Sequence, residues 1–474
     1  LNKEILFTNI DVDFHHIEQT ASSLELAVLD LICSRFEVDE DKERLLKRTA
    51  QDAFRLYRAL QIPSDPQMAG IHLLRTATLG VIADRGADTA RWLRSLNDEN
   101  GWPALELESN NWGQRTWATI IDIWLRLIRK KGWNDRDLIL ERVAKLRTSQ
   151  ENFEKEYLES IDKRSVKAAA LELIALYHLS KAADVFAQFM TDGVVEGNHQ
   201  IQNLLDMHFD RAIQACEPAQ LIELEPLIRL LSIAAAQMVN NSIWTVTRAV
   251  NSRVTKFVKS LVDRGRGDKA IFDVLPPQRR TLAEKGLLGS SRRAVVVSLP
   301  TSSGKTLIAQ FRILQALNQF DDQEGWVAYI APTRALVNQV TRQLRKDFNP
   351  LNIVVEQLSP ALEFDNIEID LLKEKQQDAK FRVLVTTPEK LDLMLKQGWE
   401  EKIGRPLTLV VVDEAHNINS DHRGLKLELL LATINNESKY AQFLLLTPFI
   451  NNAKEVARWL GGSNSEDVSL GLDW

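Results

Sequence analysis

The chain has 474 residues, 45% hydrophobic and 26% charged, with a formal net charge of −6. That is the composition of an ordinary globular protein, and at about 150 residues per domain it allows roughly three domains. No run of 18 apolar residues offers a membrane span, and no bulk positive charge announces nucleic acid.

Residues 1–265 read as helices. In "DKERLLKRTAQDAFRLYRALQIP", Leu46, Ala50, Ala53, Tyr57 and Leu60 recur at spacings of four and three, one apolar stripe of an amphipathic helix. Pro63 and Pro66 read as stop signals after it. Similar patterns cover 22–36, 69–96, 113–130, 165–190, 200–215 and 219–263, and no alternating strand pattern interrupts them. A bundle or an irregular solenoid fits; no fixed period recurs. Six of the eleven tryptophans fall between Trp92 and Trp133. They could stack on bases, but on amphipathic helices they are expected as core fillers. His15 and His16 are expected as ordinary side chains and the acidic stretch Glu37–Glu43 as a solvated face. The two cysteines, Cys33 and Cys216, are expected as buried thiols, which fits a cytoplasmic location. No signal peptide is visible, and a start at Leu1 rather than methionine suggests that the chain is bounded artificially there.

The polar, glycine-bearing stretch "VDRGRGDKAIFD" (262–273) marks the expected boundary. After it come short β-branched runs: "AVVVSL" (294–299), "WVAYIA" (326–331), "NIVVEQL" (352–358), "RVLVTT" (382–387), "LTLVVVDE" (407–414) and "QFLLLT" (442–447). They are continuous rather than alternating, as strands buried on both faces are, and helical patterns separate most of them. The fold class expected is therefore an all-α region at 1–265 followed by a parallel-sheet α/β domain at 271–474.

Within that domain "LPTSSGKT" (299–306) follows a strand and opens a helix, the setting a phosphate loop requires. Such loops usually carry glycine where Leu299 stands, and often where Ser302 stands. Backbone N–H groups of Thr301, Ser302, Ser303, Gly304 and Lys305 can face phosphate oxygens at the helix start. Lys305 is expected to bridge the β- and γ-phosphates of ATP, and Thr306 to ligate Mg²⁺. At the end of another buried strand, "VVVDEAH" (410–416) supplies Asp413, expected to hold Mg²⁺, and Glu414, expected to orient and deprotonate the attacking water.

With these motifs in order, the chain resembles the superfamily 2 DExH/DEAD-box helicases, most closely the Ski-like DExH branch, over residues 274–462. The resemblance implies the first of two RecA-like lobes, with the nucleotide sandwiched between lobes. Gln278 in "LPPQRRTLAEKGLL" (275–288) matches the glutamine that reads adenine. "APTRALVNQ" (331–339) and "TTPEKLDLML" (386–395) match motifs that hold one nucleic-acid strand, which assigns Thr333, Arg334 and Thr387 to it, with DNA ahead of RNA. "DHRGLKLELLLATI" (421–434) is similar to the Ski-like branch, in which "PTSSGKT" is an acceptable loop. Two departures stand out. "LLLTPFINNA" (444–453) replaces the usual Ser-Ala-Thr, so Thr447-Pro448-Phe449 puts coupling between hydrolysis and movement in doubt. The chain also stops at Trp474, so the second lobe and its arginine fingers are not in it and a longer protein is expected. The resemblance implies an ATP-driven helicase or translocase; the alternative is an ATP-gated scaffold that recruits a partner without unwinding. A long helical region ahead of the motor is similar in layout to bacterial antiphage-defence helicases of the Hachiman type, which work with a nuclease, so a protein partner is expected on residues 1–265.

Overall fold

The computed structural model describes residues 14–469 except 35–39, 97–101, 104, 106, 108–111, 132–134, 147, 149–165, 196, 198–199, 223, 248–250, 265–269, 285–286, 289–291, 301–302, 358–380, 397–402, 420 and 451. The chain divides into two compact units that interleave in sequence: Leu1–Thr245 with Arg264–Asp273, and Val246–Asp263 with Val274–Trp474.

The first unit is helical, with helices Phe14–Cys33, Glu40–Ala59, Pro66–Ile82, Gly86–Ser95, Trp112–Arg129, Val166–Asp192, Ile201–Cys216 and Leu224–Asn241. The stripe on Glu40–Ala59 buries Ala50, Ala53 and Tyr57 as its spacing requires. Pro66 is a start rather than a stop. The Asp65 side chain accepts the Met68 N–H at 2.8 Å, and proline occupies the first turn, where its missing N–H costs nothing. The pattern over 69–96 is two helices, because Asp84 turns the chain at φ +58° and its carboxylate accepts from Gln237 at 3.0 Å. Trp124 is fully buried between the rings of Phe186 and Phe209, so no base can reach it. Trp102 lies beneath the Arg129 guanidinium at 4.1 Å. Trp112 and Trp133 lie where no side chain is described. Cys216 is buried as expected; Cys33, the last residue of its helix, is exposed instead, because it falls where that helix runs out into solvent. His15 and His16 are exposed, as are Glu40, Asp41 and Glu43; Glu37 lies outside the described residues.

A buried ion network was not legible from spacing. Asp122 accepts from Arg126 at 2.7 Å and pairs with Arg142 at 2.6 Å, while Asp135 takes Arg126, Arg129 and the Lys131 N–H. Each carboxylate is met by several donors, which is what makes such burial tolerable.

The second unit is a seven-stranded parallel sheet in the order β3-β4-β2-β5-β6-β1-β7, of the RecA-like kind. The strands are β1 (Ala294–Ser298), β2 (Trp326–Ile330), β3 (Val355–Gln357), β4 (Val383–Thr386), β5 (Leu407–Val412), β6 (Gln442–Thr447) and β7 (Ser465–Ser469). Val296, Ala328, Ile330, Val410, Val412, Phe443 and Leu445 share one core with Leu391, Leu430 and Leu431 from covering helices. The helices Lys305–Gln319 and Arg334–Phe348 cover the opposite face. Helix Ser252–Val262 joins this unit, with Phe257 placed edge-on to Phe311 and Phe348 at ring separations of 5.5 and 5.7 Å. Arg253 donates to the Leu317 carbonyl at 2.7 Å and to Asp321 at 2.6 Å. Strand β7, "SEDVS", carries no apolar run and pairs in parallel with β1.

Candidate nucleotide site

In a parallel sheet the loops that leave the carboxyl ends of the strands gather at one edge. Here that edge collects the loop after β1, Thr333 after β2, Thr387 after β4, Asp413 and Glu414 after β5, and Thr447 at the end of β6.

The absent glycine is explained by direction. The Leu299 side chain is fully buried in the lobe, and its N–H donates to the Thr447 carbonyl at 2.9 Å, so this position extends the sheet and does not face a phosphate. Ser303 turns its hydroxyl back onto the Pro300 carbonyl at 2.7 Å. Gly304 then adopts φ +72°, and an added Cβ would lie 2.2 Å from Gln278 Nε2, so both conformation and space demand glycine there. Thr301 and Ser302 lie outside the described residues.

Gln278 is buried and braces this loop. Its carboxamide oxygen accepts the Leu275 N–H at 2.9 Å and its amide donates to the Gly304 carbonyl at 3.2 Å. The following helix, Lys305–Gln319, has no side-chain cap, leaving its first N–H groups and their partial positive charge directed at the loop.

Lys305 opens that helix. Its ammonium is buried with no hydrogen-bond partner among the described residues, and its nearest counter-charge is Glu414 Oε1 at 3.5 Å. A buried ammonium lacking hydrogen bonds costs several kcal/mol, roughly, unless an anion completes it. Thr306, half-buried, follows it on the same helix.

Asp413 extends β5, its N–H donating to the Ile330 carbonyl at 2.8 Å. Burial raises its carboxyl above the ordinary carboxylate value, and the hydrogen bond from Tyr329 opposes that rise. Tyr329 Oη donates to Asp413 Oδ2 at 3.0 Å, and the Glu414 N–H donates to Oδ1 at 3.0 Å. Glu414 sits at φ +52°, a left-handed conformation that costs a side-chain-bearing residue about 1–2 kcal/mol. The turn is held by Asn417, whose N–H and Nδ2 donate to the Glu414 carbonyl at 3.1 and 2.8 Å. His416 Nδ1 lies 3.3 Å from Glu414 Oε2. Sequence reading missed Tyr329; the available signal was a hydroxyl in an otherwise apolar buried strand, where it needs a partner.

Of the residues expected on nucleic acid, Thr333 caps the helix Arg334–Phe348, its hydroxyl accepting the Leu336 N–H at 3.3 Å, and Arg334 is exposed beside it. Thr387 is buried and its carbonyl accepts from Leu391 at 3.1 Å. Thr447 is also buried, its hydroxyl bonded to both the carbonyl (2.9 Å) and the N–H (3.3 Å) of Phe449, whose ring is 66% exposed.

This donor set suits a magnesium–triphosphate ligand. The orphaned buried Lys305 ammonium calls for an anion, and Gly304, packed against the Gln278 side chain, adds no side chain of its own to the loop. Among the described residues no group of three or more His, Cys, Asp or Glu could hold a metal ion.

Residues 276–456 match the family model described as DEAD/DEAH box helicase. Among similar curated proteins, the ATP-dependent DNA helicase Hel308 of Methanococcus vannielii is 30% identical over 192 residues, 40% of this chain and 23% of that protein. The ATP-dependent DNA helicase MER3 of Saccharomyces cerevisiae is 29% identical over 184 residues, 38% of this chain and 14% of that protein. Among solved structures, the helicase Lhr of Mycobacterium smegmatis, bound to ssDNA and AMP-PNP, is 24% identical over 48% of this chain and 28% of that one, with a TM-score of 0.36. The chain thus spans under a quarter of the length of the curated relatives named. Over residues 276–456 the chain is thus similar to DEAD/DEAH box helicases, ATP-dependent DNA helicases among them.

Proposed function

We propose that this chain carries the first motor lobe of an ATP-hydrolysing superfamily 2 helicase or translocase of the Ski-like DExH type, acting on DNA ahead of RNA. The observation that carries the reading is the Lys305 ammonium, buried without hydrogen bonds 3.5 Å from Glu414 at the carboxyl edge of the sheet. In this reading Lys305 meets the β- and γ-phosphates, while the loop N–H groups of Thr301, Ser302, Ser303 and Gly304 hold their oxygens. Thr306 and Asp413 hold Mg²⁺, which supplies charge neutralisation at the phosphates when bound. Glu414 accepts the proton of the attacking water. Gln278 reads adenine with the second amide N–H and the oxygen lone pair left over from its bonds to Gly304 and Leu275. Thr333, Arg334 and Thr387 hold one strand through phosphate contacts. The intact protein is expected to displace a strand from a partial duplex only when ATP is present. ATP hydrolysis stimulated by nucleic acid, with no displacement on any substrate polarity, would leave the scaffold alternative. That alternative is favoured by one feature, the Thr447-Pro448-Phe449 turn, whose hydroxyl is spent on its own backbone.

The helical region is proposed to hold a protein, a nuclease in an antiviral defence system being the candidate, within the cytoplasm. Residues 1–270 contain 35 basic and 39 acidic side chains, a balance poorly suited to neutralising phosphates. Leu26, Met68 and Ile222 are exposed beside one groove of about 1670 Å³ in the first unit. Apolar anchors of this kind suit a protein partner. Residues 1–265 are expected to bind single-stranded DNA no tighter than non-specific proteins do, on the order of 10⁻⁴–10⁻⁶ M near physiological salt. Tight binding that falls steeply across a salt series would make the region a nucleic-acid clamp instead.

A further inference from the structure

Strand β2, "WVAYI", is buried along its whole length; Trp326 at its start donates its indole N–H to the Arg405 carbonyl at 3.2 Å, and Tyr329 near its carboxyl end carries the strand's one hydroxyl. Successive side chains alternate across a sheet. Ala328 and Ile330 belong to the core on one face, so Tyr329 points to the other, the face covered by the helix that Lys305 opens. In the parallel pairing of β2 with β5, Tyr329 stands opposite Val411, and Asp413 follows two residues later on the same face. The ladder continues through the Asp413 N–H to the Ile330 carbonyl at 2.8 Å, which fixes the reach between phenol and carboxylate.

We infer that Tyr329 is a positioning residue for Asp413: its hydroxyl pins Oδ2 from inside the sheet while the Glu414 N–H pins Oδ1, and the carboxylate is thereby aimed outward at a magnesium-bound nucleotide. The inference rests on the ATP-site reading above. A carboxylate offers about four lone-pair sites, so two protein donors leave about two for ligands from outside. The terminal torsion of an aspartate is soft, so without these two donors the carboxylate could turn edge-on. The Glu414 N–H belongs to the peptide that joins the two acidic residues, so its bond to Oδ1 ties the Asp413 carboxylate to the turn that carries Glu414. Phenylalanine at 329 would keep the ring in its packing and remove one pin.

The test is Tyr329→Phe in the intact chain, read by the affinity for a fluorescent ATP analogue during a Mg²⁺ titration and again in excess EDTA. The half-saturating Mg²⁺ concentration is expected to rise about tenfold, the scale of one hydrogen bond to a charged group. Affinity in EDTA should stay within about twofold of the parent, and high Mg²⁺ should restore binding. On an Asp413→Asn background, Tyr329→Phe should add nothing further. An unchanged Mg²⁺ dependence, an equal loss of affinity with and without Mg²⁺, or a further tenfold loss on the Asp413→Asn background would each overturn the inference. Failure of the unmodified chain to bind the analogue under either condition would instead remove the ATP-site reading, and this inference with it. A thermal unfolding midpoint for each variant separates these outcomes from loss of fold.

Discussion

Lys305→Ala should abolish nucleic-acid-stimulated ATP hydrolysis, lowering turnover by about a hundredfold or more, as the loss of several kcal/mol of transition-state stabilisation requires. The structure adds a second expectation. The Lys305 ammonium is buried, has no hydrogen-bond acceptor among the described residues, and stands 3.5 Å from Glu414. Such a group is kept for the ligand and contributes little to the fold. The variant should therefore unfold at the same temperature as the parent or slightly above it. Turnover within about threefold of the parent would sink the phosphate-loop assignment. A large drop in melting temperature would show that Lys305 is a structural ion pair.

Glu414→Gln should leave nucleotide affinity within a few-fold of the parent and lower the rate of hydrolysis by about 10²–10⁴, the range usual for losing a general base. Glutamine keeps the shape and accepts the same left-handed backbone, whose bonds to Asn417 use only the residue 414 carbonyl. Its amide cannot take the proton of water. Single-turnover hydrolysis and equilibrium binding, measured side by side, separate the two roles. If affinity falls as far as it does in Lys305→Ala, Glu414 holds the site together and the water-activating role is lost.

The strands on either side of the site were legible because each is buried on both faces and so reads as an unbroken apolar run: "AVVVS", "WVAYI", "LTLVVV" and "QFLLLT" all appear where the sequence places them. Burial on both faces is also why the chemistry of Tyr329 was hidden. Its partner, Asp413, is 84 residues away and is brought to it only by strand pairing. Strand β7 was illegible for the opposite reason, since "SEDVS" has no apolar run to mark a strand. In the helical region the periodicity found the helices but not their ends, because Asp65 and Asp84 act through geometry rather than through hydropathy. Nor does amphipathicity say which core a helix joins. Ser252–Val262 has an apolar stripe like its predecessors, yet its Phe257 packs on the helix that follows the phosphate loop.

The place of β1 in the sheet has a consequence for the order of events as the polypeptide leaves the ribosome. The strand that ends in the phosphate loop is made first among the seven, but its two neighbours are β6 and β7, made last. Between Ser298 and Gln442 the nascent chain can pair β2, β3, β4 and β5 with one another while β1 waits without a partner. Closing a loop of that length is a slow, late step compared with local pairing. The loop that follows β1 thus gains both of its flanking strands only once almost the entire sheet has been synthesised.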